Sequence, residues 1–155
     1  MDATIITSIT PAADQVPTNF LSFLASTKEN DFKQLFDFAV DTLTFSTKVN
    51  IFHWTCEKGF YHTQFEEVYE LLRKFADDLV ERVLAQDVKF KITNRQANIT
   101  DMIFNVDYAV RKLTEYKEEA SKLADFFKDN RGITNLFDDM ISELDKHIGL
   151  IKNFS

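Results

Sequence analysis

After Pro17 the chain contains no further proline, and its 155 residues hold only three glycines, Gly59, Gly132 and Gly149. Proline and glycine supply most of the backbone geometry of tight turns, so residues 18–155 carry too little turn chemistry for a β-protein. A few long helices joined by few turns are the economical solution, and an all-α fold is expected.

Four segments carry apolar residues at three- and four-residue steps, the spacing of one helical face. Residues 31–56 place Leu35, Ala39, Thr42, Leu43, Ser46, Val49, Asn50 and His53 in this way, and Gly59 then interrupts the pattern. Residues 61–86 repeat it with Phe65, Val68, Leu72, Phe75, Leu79 and Val83. Residues 100–128 carry Ile103, Val106, Val110, Leu113, Tyr116, Ala120, Leu123 and Phe127. Gly132 is expected to close that third helix and Thr134 to cap the next. Residues 135–154 carry Leu136, Met140, Leu144, His147, Ile148 and Ile151.

Helices of about 25 residues run roughly 37 Å, so they must pack side by side. Short links after the first and third helices make those pairs antiparallel neighbours. The stretch 87–99 (DVKFKITNRQANI) is longer and polar. It is long enough to cross the bundle between the second and third helices, and such a crossing distinguishes a ferritin-like four-helix bundle from an up-down-up-down one. Residues 1–17 read as a flexible N-terminal tail and 18–155 as the bundle, with a short helical turn or two over 18–25.

Composition narrows the function classes. Hydrophobic residues make up 45% of the chain and 16 residues are Phe, which excludes a disordered protein. No run approaches the roughly 20 apolar residues of a membrane span, so no membrane association is expected. The first twenty residues lack a basic region followed by an apolar run, so no secretory signal is expected. A single cysteine, Cys56, excludes an internal disulfide and fits a reducing compartment, and the expected location is the cytoplasm. The net charge of −7 disfavours non-specific nucleic-acid binding. Residues 1–27 contain no Lys or Arg, Lys28 being the first basic side chain, so DNA is not an expected partner.

The polar residues of the second helix carry the functional signal. His62 and Glu66 are four apart, as are Asp77 and Glu81, and three turns separate the two pairs. All four therefore fall within ~100° around the helix axis. His53 stands at the end of the first helix, one short turn away. Imidazole with carboxylate suits iron, zinc or manganese. Taken singly, each residue reads as an ordinary core or surface group, and the acids near Arg73, Lys74 and Arg82 as ordinary ion pairs. The joint spacing is what points to metal.

Geometry sharpens the inference. The backbones of Glu66 and Asp77 lie ~16 Å apart along a straight helix. Ligands sit only ~2.0–2.2 Å from a metal, so the two half-sites cannot close within one helix. A second copy packed antiparallel across a two-fold axis brings His53, His62 and Glu66 of one chain to Asp77 and Glu81 of the other. A two-fold interface is self-complementary, so each dimer then holds two equivalent sites.

At these residues the chain resembles the Dps family of mini-ferritins, a branch of the ferritin-like proteins. The segment STKVNIFHW (46–54) is similar to the family's first-helix signature, which ends in a ligand histidine followed by tryptophan. The segment HTQFEEVYELLRKFADDLVER (62–82) is similar to its second-helix signature, and LDKHIGLIKNF (144–154) to its closing helix. The resemblance implies that His53, His62, Glu66, Asp77 and Glu81 are the metal ligands and catalytic residues of an intersubunit ferroxidase. It further implies Fe²⁺, or another divalent metal in its place, oxidised by peroxide or oxygen. It also implies iron storage and detoxification inside a homo-oligomeric shell of two-fold dimers, a dodecamer in the family. The chain departs from the family in having Glu66 where Asp is usual, a shorter loop between His53 and His62, and no room in 87–99 for the family's extra short helix.

Trp54 reads as the packing of a large aromatic, with acceptance of a stray oxidising equivalent as the alternative. His147 reads as a packing or hydrogen-bonding residue. An intrachain site of the larger-ferritin kind needs Glu-x-x-His pairs, and the position three before His147 is Leu144. The competing reading from another class is a non-enzymatic helical protein that keeps the bundle without the metal chemistry.

Overall fold

A computed structural model describes residues 20–86 and 105–154, with side chains from Thr27 onward within those ranges. The described residues form four helices and no strands: α1 (Phe20–Thr55), α2 (Gly59–Leu84), α3 (Val106–Phe126) and α4 (Arg131–Asn153). Residues 1–17, the expected tail, and 87–99, the expected crossing link, lie outside the described residues, as does Ile103. Among the described residues no helix is long and apolar enough to cross a membrane.

The apolar stripes build one core. Every residue of the α2 stripe, from Phe65 to Val83, is buried, as are Leu113, Tyr116, Ala120 and Leu123 of α3 and Met140, Leu144, Ile148 and Ile151 of α4. Aromatic rings concentrate at its centre. Phe38 stacks between Tyr116 and Phe137 at centroid distances of 5.5 and 5.6 Å, and Phe75 meets Phe137 edge-on at 5.0 Å. Burying one such ring contributes about 1.5–3 kcal/mol, so this cluster is a main source of stability. A buried polar group on the α1 stripe is satisfied internally. The Thr42 hydroxyl donates to the Phe38 carbonyl at 2.9 Å and accepts from the Tyr116 hydroxyl at 2.8 Å.

Contacts at the helix ends fix directions. Phe32 of α1 meets Phe127 just beyond α3, while Phe52 near the end of α1 meets Tyr108 in the first turn of α3. These two helices are therefore antiparallel. Tyr61, early in α2, donates to the carbonyl of Phe154 at the end of α4, so α2 and α4 are antiparallel as well. With α1 and α2 antiparallel across the short link 56–58, α2 and α3 run the same way.

Four boundary expectations are corrected. From Phe20 on, the helical turn expected over 18–25 is continuous with the helix expected from residue 31, the two forming α1. Residues 100–104 of the expected third helix lie outside the described residues, and α3 begins at Val106 because Asn105 caps it, Oδ1 accepting from the Tyr108 amide at 3.1 Å. Asn130, not Thr134, caps α4: its side chain accepts from the Ile133 amide, while Thr134 sits in the first turn and donates back to the carbonyls of Phe127 and Asn130. Gly132 does not close α3 but lies in that same turn, where a Cβ would stand 3.1 Å from Nη1 of Arg82. On α1, Leu43 belongs to the outer surface, being 45% exposed.

Candidate functional site

The site is built from the turn that joins α1 to α2. The last carbonyls of a helix have no intrahelical partner and need donors from elsewhere. At the end of α1 the His53 carbonyl receives two, Nδ1 of His62 at 2.9 Å and Sγ of Cys56 at 3.3 Å. The favour is returned across the turn, where Nδ1 of His53 lies 2.9 Å from the His62 carbonyl. The two rings face each other with centroids 3.7 Å apart. Only three residues, Cys56, Glu57 and Lys58, separate the helices, and that shortness brings the rings together.

These bonds determine the chemistry of both imidazoles. A carbonyl oxygen only accepts, so Nδ1 of each ring carries the hydrogen. In the neutral ring the lone pair then resides on Nε2. A ring N–H donated to a backbone carbonyl is a common support for a metal-binding histidine, since it fixes tautomer and orientation together. His53 is buried and packs edge-on against Tyr69, with centroids 5.6 Å apart, whereas His62 is exposed. Burial raises the Cys56 thiol above its ordinary value of 9.0, and its Sγ is the donor to the His53 carbonyl.

Of the five expected site residues, the chain brings His53 and His62 together. Glu66, one turn beyond His62, is exposed, and so are Asp77 and Glu81 further along α2. Among the described residues, no group of three or more His, Cys, Asp or Glu side chains is placed to hold a metal ion. Within one chain the candidate is thus a two-imidazole half-site, with the carboxylates of Asp77 and Glu81 elsewhere on the same outward surface.

Trp54, directly after His53, does not pack inside its own chain: it is 68% exposed, because the step from the buried His53 turns it outward. His147 is buried, with Nδ1 2.9 Å from Oε1 of Gln64 and 3.5 Å from Oε2 of Glu67. Burial lowers its pKa below the ordinary 6.5, the Glu67 carboxylate opposing that shift. Two contributors escaped the sequence reading. Tyr69 lies outside the apolar stripe of α2 and belongs to no motif that marks it. Gln64 is a buried amide one turn before Val68 on the core face, and that placement was its only signal.

Comparison with protein-family models, with curated proteins and with solved structures returns no match.

Proposed function

We propose that the chain is an iron-binding ferroxidase of the Dps type, which oxidises Fe²⁺ at sites shared between two copies and stores the product as part of iron detoxification. The observation that carries this reading is the exchange of hydrogen bonds between His53 and His62. It leaves two Nε2 lone pairs on one short turn, each ring backed by a carbonyl. Imidazole is an intermediate ligand and carboxylate a hard one, and the mixture suits Fe²⁺ and tolerates Fe³⁺. His53, His62 and Glu66 supply one half of each site and the partner's Asp77 and Glu81 the other. Iron is the substrate: each Fe²⁺ yields one electron to peroxide or oxygen, and the carboxylates balance the added positive charge.

The same reading takes the bundle as ferritin-like, with residues 87–99 as the long crossover, a topology supported by the common direction of α2 and α3. It takes the assembly as a homo-oligomer of two-fold dimers, a dodecamer when complete, working in the cytoplasm without DNA as a partner. The second reading, a helical structural or binding protein without metal chemistry, draws on one observation: a single chain assembles no three-ligand group among its described residues.

Iron oxidation tests the choice. Fe²⁺ with hydrogen peroxide should be oxidised faster with the protein than without it, and the ferric product should stay soluble. His62→Ala and Asp77→Ala should each abolish the acceleration, because every site draws on both chains. Mixing the two variants should restore part of it, since a mixed dimer holds one intact and one doubly broken site. Acceleration that survives both substitutions would leave the structural reading in place.

A further inference from the structure

We infer that Tyr69 is a positioning residue of the two-imidazole half-site, its ring setting the plane of His53 while Arg73 covers it from the other side of the next turn. This rests on the metal-site reading above and adds to it the group that fixes the angle at which one ligand is offered.

One hydrogen bond leaves an imidazole partly free. Nδ1 of His53 lies 2.9 Å from the His62 carbonyl, and that bond fixes the tautomer. The ring can still swing about the line from Nδ1 to the oxygen, and Nε2 swings with it. A ligand site tolerates only about 0.5 Å and 10–20° of such movement. The plane of the ring must therefore be held by what flanks it.

Two rings flank His53, both from α2. His62 and Tyr69 are seven residues apart, so they project from the same side of the helix with backbones ~10.5 Å apart along its axis. The His53 ring lies 3.7 Å from the ring of His62 and 5.6 Å from that of Tyr69, and so stands in the gap between them. The two flanks differ in firmness. His62 is exposed, and its Nδ1 is bonded to the backbone of His53 itself, so it is a poor fixed reference. Tyr69 is partly buried against the core. It meets His53 edge-on at 69°, an arrangement that aromatic rings prefer at this separation. One turn further along, the guanidinium carbon of Arg73 stands 5.7 Å from the centre of the Tyr69 ring, within cation–π range. His62, Tyr69 and Arg73 fall within ~40° around α2. With His53 entering from α1, they form one column of side chains in the order His62, His53, Tyr69, Arg73. Simple filling of space would need only apolar bulk at position 69. The edge-on contact and the covering cation both need an aromatic ring.

Histidine tautomers report the difference. The chain has three histidines, so ¹⁵N-histidine labelling of the full protein and magic-angle-spinning NMR can resolve each ring. In the parent, His53 should be the Nδ1–H tautomer alone. Tyr69→Leu keeps apolar bulk and helix propensity, and should let the Nε2–H tautomer of His53 appear beside it. Tyr69→Phe keeps the ring and should restore the parent spectrum. Zn²⁺, titrated by calorimetry as a redox-inert probe, should bind about tenfold more weakly to Tyr69→Leu and within about twofold of the parent to Tyr69→Phe. A Tyr69→Leu variant with the parent's tautomer, or a Tyr69→Phe variant as disturbed as Tyr69→Leu, would overturn the inference. Circular dichroism checks that the variants stay helical. Should Tyr69→Leu not fold, Arg73→Gln decides, because Arg73 is exposed: the second tautomer should appear in it too, and its absence would overturn the inference. The expected tautomer changes in a chain that oxidises no iron would leave the role of Tyr69 standing and remove the ferroxidase reading alone.

Discussion

His53 and His62 exchange hydrogen bonds across the turn between α1 and α2, Nδ1 of each ring lying 2.9 Å from the backbone oxygen of the other. Each ring therefore clamps the backbone of the opposite helix. The two residues do not contribute equally to stability. His62→Ala removes an exposed ring and one hydrogen bond, at a cost of about 1 kcal/mol. His53→Ala also empties a buried position against Tyr69, and should cost about 2–4 kcal/mol. Urea unfolding of the two variants measures the difference, and equal losses would mean that the exchange does not organise the turn.

The buried Thr42–Tyr116 pair supports an asymmetric prediction. Thr42 donates to the Phe38 carbonyl, so in this pair Tyr116 is the donor. Burial holds the Tyr116 phenol well above its ordinary value of 10.0, and it stays neutral. Tyr116→Phe removes the donor and leaves the threonine bond intact, which should cost about 1 kcal/mol. Thr42→Val leaves a buried hydroxyl without an acceptor, and should cost nearer 1–3 kcal/mol. Thermal or urea denaturation ranks the two, and the reverse order would show that the donor assignment is wrong.

Long helices were legible in the chain because their signal is redundant: the stripe from Phe65 to Val83 repeats one spacing over five turns, and any single exception is outvoted. Boundaries were less legible because they rest on single residues. Thr134 and Asn130 are both capable caps, and only the position of the backbone at the start of α4 decides for Asn130. Leu43 carries the right residue type for the core, but Thr42 beside it takes the inward position through its bond to Tyr116. At the site, the spacing of His62, Glu66, Asp77 and Glu81 placed them on one side of α2. The exchange between His53 and His62 was not legible, because it depends on how two helices meet across Cys56–Lys58. Gln64 was hidden for a related reason: its partner, His147, lies 83 positions away.

His147 makes stability depend on pH in a window above that of the carboxylates. Its pKa in the folded chain is below the ordinary 6.5, so the folded state favours the neutral ring. Stability from this group is complete above pH 6.5 and falls as the pH drops below it toward the depressed value, because the unfolded chain takes up the proton first. The surface acids with lowered values, Glu115, Glu143 and Asp145, act the same way but only below their ordinary 4.5 and 3.8. His147→Gln keeps a polar partner for Gln64 and removes the titration. The unfolding free energy of the variant should change less between pH 7 and pH 5 than that of the parent. Parallel curves would exclude His147 as the source.

The proposed dimer carries its own cation requirement. In the proposed shared site Glu66 faces the partner's Asp77, and two carboxylates that approach without a cation between them repel. A divalent ion shared with His62 and the partner's Glu81 removes that repulsion and adds its ligand bonds. Linkage then makes ion binding and dimer formation mutually supportive. Zn²⁺ is the convenient probe, since it takes histidine and carboxylate ligands and undergoes no redox change. The parent should dimerise more tightly with Zn²⁺ than with a chelator. Glu66→Gln should reverse part of this on both sides, giving a tighter dimer than the parent in chelator and a smaller gain from the ion. The crossing of those two effects separates a shared site from adventitious zinc on surface histidines, which would strengthen parent and variant alike. If Glu66→Gln leaves the zinc response of the dimer unchanged, Glu66 does not face the site.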